Sequence, residues 1–257
     1  MENNLKFNLH GVDYNINPEN NKDVSNFQWY ISWFKGGGWE DNTFETFNYV
    51  KNPTKNAIDI GAWIGTTTIW LAKNFKNVLA IDADSVAVKA LEANLKTSEC
   101  FNTQILDKPI HSVNTKVIFG TNQYDPLYQS EGLGASTSQI KDGGFIDSDY
   151  TLETITMDQL NQSFPFSEVS FVKVDIEGGE ELILEDLIKN AKKYNWELWI
   201  SFHCDWWKDK NIDRFNGLFD DAIDIRIDNL TNKVHSWDVI DLIKSNPFAS
   251  LYIKYEN

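Results

Sequence analysis

Residues 56–70 read NAIDIGAWIGTTTIW: a short apolar run, a turn built around Gly61 and Gly65, and the opening of a helix. The next apolar run, NVLAID, ends at Asp82, and DSVAVKALEANLK then carries Val88, Leu91 and Leu95 at helical spacing behind Asp84 or Ser85 as N-cap. FNTQIL supplies a third strand at residues 101–106. Strand, helix, strand, helix, strand at this spacing requires parallel pairing through right-handed crossovers. The prediction is a doubly wound α/β fold with a mostly parallel sheet.

Downstream, VSFVKVDIEGGEELILEDLIKNA predicts a buried strand, a tight turn and a helix, and WELWISFHCDW a further strand. A helix and two closing strands, DAIDIRID and ASLYIKYE, follow. Between the third and fourth main strands, residues 112–158 read as a strand (KVIFG), a long glycine-rich excursion and a β-like return (TLETITM). Long loops in compact domains tend to be functional or mobile, so 121–149 is expected to form a mobile cover over an acceptor site.

Upstream, LKFNLHGVDYNI alternates around His10-Gly11 and predicts a hairpin. Residues 23–34 predict a helix capped by Asp23, with Phe27, Tyr30 and Phe34 at helical spacing, and 41–51 a second short helix. Residues 1–55 read as an N-terminal extension without a core of its own, and 56–257 as the main domain.

The chain's 257 residues fit one large α/β domain. With 38 acidic against 23 basic residues the net charge is −15, which repels phosphate backbones, and no Lys/Arg run offsets it. No nucleic-acid partner is expected. No stretch approaches the roughly 18 apolar residues of a membrane span, and the first residues lack the charge and hydropathy of a secretory signal. The expected compartment is the cytoplasm. Cys100 and Cys204 have no metal-ligand spacing and read as packed, free thiols.

Three constellations carry chemistry. The first is the Asp59–Gly65 turn, where glycines let a ligand approach the backbone. The second is Asp82, 23 residues after Asp59 and placed to accept hydrogen bonds from ribose hydroxyls. Trp63 and Ile64 occupy the turn where a pyrophosphate would need closely spaced glycines. A bulky apolar turn suits the phosphate-free sulfonium of S-adenosyl-L-methionine better than NAD. The third is Lys173-Val174-Asp175-Ile176-Glu177-Gly178-Gly179-Glu180, at the sheet edge where open α/β folds bind ligands. Glu180 and Glu181 also fit simple decoration of a helix N-terminus. Asp175 and Glu177 do not, and Lys173 inside an apolar strand needs a partner if buried.

AIDIGAWIGTTT, AIDAD, TLETITMDQL, ISFHCD and above all KVDIEGGE resemble the FkbM-type methyltransferases over roughly residues 36–205. The resemblance implies S-adenosylmethionine-dependent O-methylation, commonly of sugar or other natural-product hydroxyls. It implies that Asp59, Gly61 and Trp63, with Gly65, surround the methionine half of the cofactor, and Asp82 and Ala83 the ribose. Pro109 and Ile110, with His111, would lie near the adenine, and Asp175 beside the cofactor. Trp63 stands where the family commonly has Asn, Asp82 where it commonly has Glu, and Ser201 where Glu often precedes the histidine.

An alcohol must lose its proton to be methylated, which requires a base or a metal. Asp175, Glu177 and His203 are the catalytic candidates. Either His203 acts as general base with a carboxylate orienting it, or the three hold a divalent ion such as magnesium or manganese. Trp206, Trp207 and Trp237, with Tyr124 and Tyr128, are candidates for stacking on a sugar ring, or for packing. A nucleoside-binding scaffold that has lost its chemistry is the alternative to the enzyme, and an NAD-dependent dehydrogenase a third reading.

Overall fold

Ile58 and Ile60 point to one face of the central sheet and Ala57 to the other, and both faces are closed to solvent. Successive strand residues alternate sides, so a strand that is apolar throughout must be covered twice. The computed structural model describes residues 4–36, 40–121, 134–141, 150–227 and 230–256.

The chain opens with the hairpin β1 (Leu5–Leu9) and β2 (Val12–Ile16), then α1 (Phe27–Gly36) and α2 (Asp41–Val50). The alternating core follows as β3 (Asn56–Ile60), α3 (Thr66–Asn74), β4 (Val78–Ile81), α4 (Ser85–Thr97) and β5 (Thr103–Leu106). A separate antiparallel sheet, ordered β7-β6-β8, is made of β6 (Lys116–Gly120), β7 (Gln139–Lys141) and β8 (Tyr150–Glu153). The chain re-enters the main sheet through α5 (Met157–Ser163), β9 (Val169–Val174), α6 (Leu184–Tyr194) and β10 (Glu197–Ser201). It closes with β11 (Asp224–Ile227), β12 (Asn232–Lys233), α7 (Val239–Ser245) and β13 (Ser250–Lys254).

The main sheet is ordered β12-β11-β13-β10-β9-β3-β4-β5. β5, β4, β3, β9 and β10 are parallel, and β13 runs antiparallel between β10 and β11. One face carries α5, α6 and α7, through Leu160, Leu187, Ile188 and Ile243. The other carries α3 and α4, through Ile69, Trp70, Leu91 and Leu95. The doubly wound fold is as the sequence predicts. The strand order reverses where β3 lies between β4 and β9, the point at which such sheets open a crevice.

The first fifty residues depart from expectation at one helix start. Helix α1 starts at Phe27 rather than Asp23, because Asn21 accepts from the Val24 amide in a turn and Asn26 adopts a left-handed φ of 54°. The extension also shares the core of the sheet: Leu9, Tyr14, Phe34, Phe44 and Phe47 form one cluster with Trp70 and Phe171. Tyr14 reaches further and donates to the Thr66 carbonyl at 2.6 Å. Cys100 and Cys204 are free and buried. Among the described residues no helix is long and apolar enough to cross a membrane.

Candidate active site

The turns after β3 and β9 touch backbone to backbone. Gly61 has φ +84°, and a Cβ there would lie 1.7 Å from the Asp175 carbonyl oxygen. Gly178, at φ +96°, is pressed against Trp206 in the same way, with a Cβ only 2.9 Å from that of Trp206. Glycine is therefore required by space as well as by dihedral angle. Lys173 ties the two turns together. Its Nζ donates to the Gly61 carbonyl at 2.6 Å and pairs with Asp59 at 3.3 Å and Asp175 at 3.8 Å. Burial pulls its pKa down, but Asp59, Asp175 and Glu40 more than offset this and the net shift is upward.

These turns form one wall of a pocket at the carboxyl edge of β3, β4 and β9. Gly61, Trp63, Asp82, Ala83, Pro109, Ile110, Asp175 and Glu177 all line it. Asp59 and Gly65 stand behind the wall. Asp59 is fully buried, accepting from the hydroxyls of Thr67 (2.8 Å) and Thr68 (2.7 Å) and pairing with Lys173. Gly65 caps α3 against the Leu91 side chain. Both shape the pocket from outside.

Asp82 uses its carboxylate to join two turns: Oδ2 accepts from the Trp63 amide at 2.7 Å and Oδ1 from the Asp84 amide at 2.9 Å. Burial, with Asp84 adding, pushes its pKa up to about 6. Capping of α4 falls to Asp84, whose Oδ1 accepts from Val86 and Ala87. The other oxygen of Asp84 holds the Gly134 amide and the Ser138 hydroxyl, each at 2.7 Å. Gly134 in turn accepts from the Trp63 indole at 3.0 Å. The segment 134–141 is thereby fixed at the pocket, which Ala135, Ser136, Ser138 and Ile140 line. The rest of the expected cover, 122–133 and 142–149 with Tyr124 and Tyr128, lies outside the described residues.

Asp175 and Glu177 bring the pocket to His203. The imidazole Nε2 lies 3.7 Å from Asp175 Oδ1 and 3.5 Å from Glu177 Oε2, and Nδ1 donates to Glu180 Oε1 at 3.1 Å. One ligand atom from each of Asp175, Glu177 and His203 falls within 4.8 Å of the others. Burial works against a charged His203, but Glu177, Glu180 and Asp175 outweigh it and its pKa is raised. Glu177 is also raised, chiefly by burial.

Glu180 is not helix decoration. It is 1% exposed, and it accepts from His203, from the Trp207 indole at 3.0 Å and from the amides of Ile176 and Gly178. Burial alone would push its pKa up; His203 and Trp207 pull harder and the net is downward. Glu181 is buried as well and accepts from the amides of Lys208 and Asp209 and from Arg214, anchoring the loop after β10. Position alone made both look like surface acids; the loop arriving from β10 brings His203 and Trp207 to Glu180, and Lys208, Asp209 and Arg214 to Glu181.

The aromatic candidates separate. Trp206 stacks on His203 with centroids 5.2 Å apart, and Phe248 meets both edge-on. Trp207 is fully buried. Trp237 is 70% exposed and stacks on His235, outside the pocket lining. Two lining residues come from the N-terminal region: Tyr30, read from the sequence only as a helix aromatic and here packed edge-on against Trp63, and Glu40, which the sequence reading did not single out. Glu40, Trp63 and Glu177 share a further feature. Each is a non-glycine residue in the left-handed region, at φ 49°, 46° and 53°. That conformation costs roughly 1–2 kcal/mol per residue, and it tends to persist where function fixes it.

The methyltransferase FkbM domain matches residues 10–215 of the chain. No curated protein sequence matches it. Among solved structures, the methyltransferase FkbM from Methylobacillus flagellatus is similar at 14% identity and a TM-score of 0.47, over 92% of this chain and 57% of that one. The chain thus spans just over half the length of that protein. An rRNA methylase from Streptococcus thermophilus is similar at 14% identity and a TM-score of 0.48, covering 85% of this chain and 99% of the other. A putative methyltransferase from Streptococcus mutans, in complex with SAH, gives 13% identity and a TM-score of 0.44, covering 82% and 94%.

Proposed function

The chain belongs to the FkbM methyltransferase family, and we propose that it moves a methyl group from S-adenosylmethionine to a hydroxyl of a sugar, a glycan or a related small molecule. The observation that carries this reading is that Asp175 and Glu177 belong both to the pocket wall and to the His203 cluster. A nucleoside pocket and a group able to handle a proton therefore meet at one edge.

The pocket's chemistry fits the cofactor. Among the described residues, its lining holds the acids Glu40, Asp82, Asp84, Asp175 and Glu177 against the bases Lys108 and Lys173. Lys173 is already committed to Asp59 and Gly61. Such a wall favours a cationic sulfonium and disfavours a pyrophosphate. Ile60, Ile81 and Ile110 supply apolar surface. Asp82 would take the ribose hydroxyls on its remaining lone pairs, and Ala83, Pro109 and Ile110 would flank the base. Once bound, the cofactor supplies a methyl already activated by the sulfonium charge. The remaining task for the chain is to hold the acceptor oxygen in line and weaken its O–H bond.

Asp175, Glu177 and His203 are proposed for that second task. An imidazolium among three carboxylates has no lone pair with which to take a proton, so His203 alone is a poor base in this setting. The donor set suits a divalent cation such as magnesium or manganese. His203 would then be neutral, with Nδ1–H held by Glu180 and Nε2 turned to the ion, a common arrangement for metal-binding histidines. Such an ion would acidify a hydroxyl placed beside it. Trp206, stacked on His203, and Phe248, edge-on to both, offer an aromatic surface for a sugar ring.

The test is a screen of sugars, nucleotide sugars and small alcohols for release of S-adenosylhomocysteine, with mass detection of the methylated product. An O-methylated sugar supports the reading. Tight S-adenosylhomocysteine binding without turnover on any acceptor would point instead to a nucleoside-binding scaffold.

A further inference from the structure

The geometry points to Glu40 as the residue that receives the α-ammonium group of S-adenosylmethionine. The assignment rests on the cofactor reading above and adds a residue from outside the sheet. Glu40 lines the same pocket as Gly61, Ala62, Lys173 and Asp175, and its carboxyl feels the charges of Lys173 and Asp175, which stand where the turns after β3 and β9 meet. Its Oε2 is shut off from solvent and has no hydrogen-bond partner among the described residues. Buried carboxylate oxygens are rarely left without a donor, so an unmatched acceptor in a pocket wall calls for one from the ligand.

The backbone argues the same way. Glu40 sits at φ 49°, ψ 44° immediately before α2, and its side chain caps no backbone amide of that helix, meeting the Thr43 hydroxyl in the first turn instead. Backbone capping therefore does not explain the strained conformation. Burial, reinforced by Asp175, raises the Glu40 pKa, while Lys173 and the Thr43 hydroxyl act to lower it. The carboxyl thus lacks a full counter-charge that an ammonium would supply. The other acids near this end face cations: Asp59 Oδ1 makes no hydrogen bond but pairs with Lys173 at 3.3 Å while its Oδ2 accepts from two threonines, and Asp175 pairs with Lys173 and His203. Asp82 lies at the turn after β4 and is held by the Trp63 and Asp84 amides.

The experiment compares two ligands that share the nucleoside and the thioether: S-adenosylhomocysteine, and 5′-deoxy-5′-methylthioadenosine, which lacks the amino-acid half. In calorimetry, Glu40→Gln should weaken S-adenosylhomocysteine by about tenfold to a hundredfold, the usual worth of a hydrogen bond to a charged group. Its affinity for methylthioadenosine should stay within about twofold. That retained binding also shows that the variant is folded. Independently of any variant, N-acetylated S-adenosylhomocysteine, which carries no ammonium charge, should bind the wild-type protein about as weakly as the parent ligand binds Glu40→Gln. Equal S-adenosylhomocysteine affinity in wild type and Glu40→Gln overturns the assignment alone, as does an equal loss of both ligands. A wild-type protein that binds neither nucleoside overturns the cofactor reading and this assignment with it.

Discussion

His203 Nδ1 and Glu180 Oε1 lie 3.1 Å apart, and that contact fixes which face of the imidazole looks toward the pocket. With Nδ1 engaged, only Nε2 is left to face Asp175 and Glu177. Glu180 reaches no pocket surface itself and acts through the ring it holds. Glu180→Gln keeps the shape and removes the charge. It should lower turnover by about tenfold to a hundredfold while changing S-adenosylhomocysteine affinity little. Steady-state kinetics beside calorimetry checks this, and a parallel loss in both would mean a structural role only.

The same ring makes a prediction about metal. Manganese should bind the purified protein in calorimetry, and both His203→Ala and Glu177→Gln should abolish that binding. Methyl transfer should stop on chelation and return with magnesium or manganese. Activity indifferent to chelator, with His203→Ala still slow, would move the proton-handling role back to the side chains alone.

Gly61 and Gly11 form a matched pair for testing close approach. Both have positive φ, +84° and +83°, but a Cβ meets the Asp175 carbonyl at Gly61 and nothing within 4 Å at Gly11. Gly11→Ala should cost about 1–2 kcal/mol, the dihedral penalty alone. Gly61→Ala must also separate two turns and should cost more than about 3 kcal/mol, among the large single-substitution effects. Thermal melts of the two variants should rank accordingly. Equal melting temperatures would show that the turns after β3 and β9 are not in contact.

Asp82 gives the cofactor site a pH dependence. Its pKa rises from 3.8 to about 6 in the folded protein, so folding favours the protonated form. The stability this brings is fully present below pH 3.8 and fades as pH rises through about 6. Ribose hydroxyls need the ionised form as acceptor, so S-adenosylhomocysteine affinity should increase between pH 5 and 7. Asp82→Asn should bind more weakly and lose that slope. An unchanged slope in Asp82→Asn would assign the dependence to another group.

Apolar runs and helical spacing in the chain are enough to dictate its layered order. Alternating apolar runs and helical repeats from Asn56 to Leu106 left only parallel pairing, because residues such as Ile58 and Ala57 need cover on opposite faces. Local turn chemistry likewise made the ends of β3 and β9 legible, since Gly61 and Gly178 leave their mark in the chain itself. What the sequence did not contain was which acids share a space. Glu180 reads as a helix-end acid until the loop after β10 brings His203 and Trp207 onto it. Asp59 reads as a pocket residue until Lys173, two strand positions before Asp175, draws it behind the wall. Glu40 carries no motif at all, and reaches the pocket only because Phe44 and Phe47 pack α2 against Trp70 and Phe171. Periodicity is local and survives in one dimension. The pairing of buried charges depends on which distant segments the apolar core draws together.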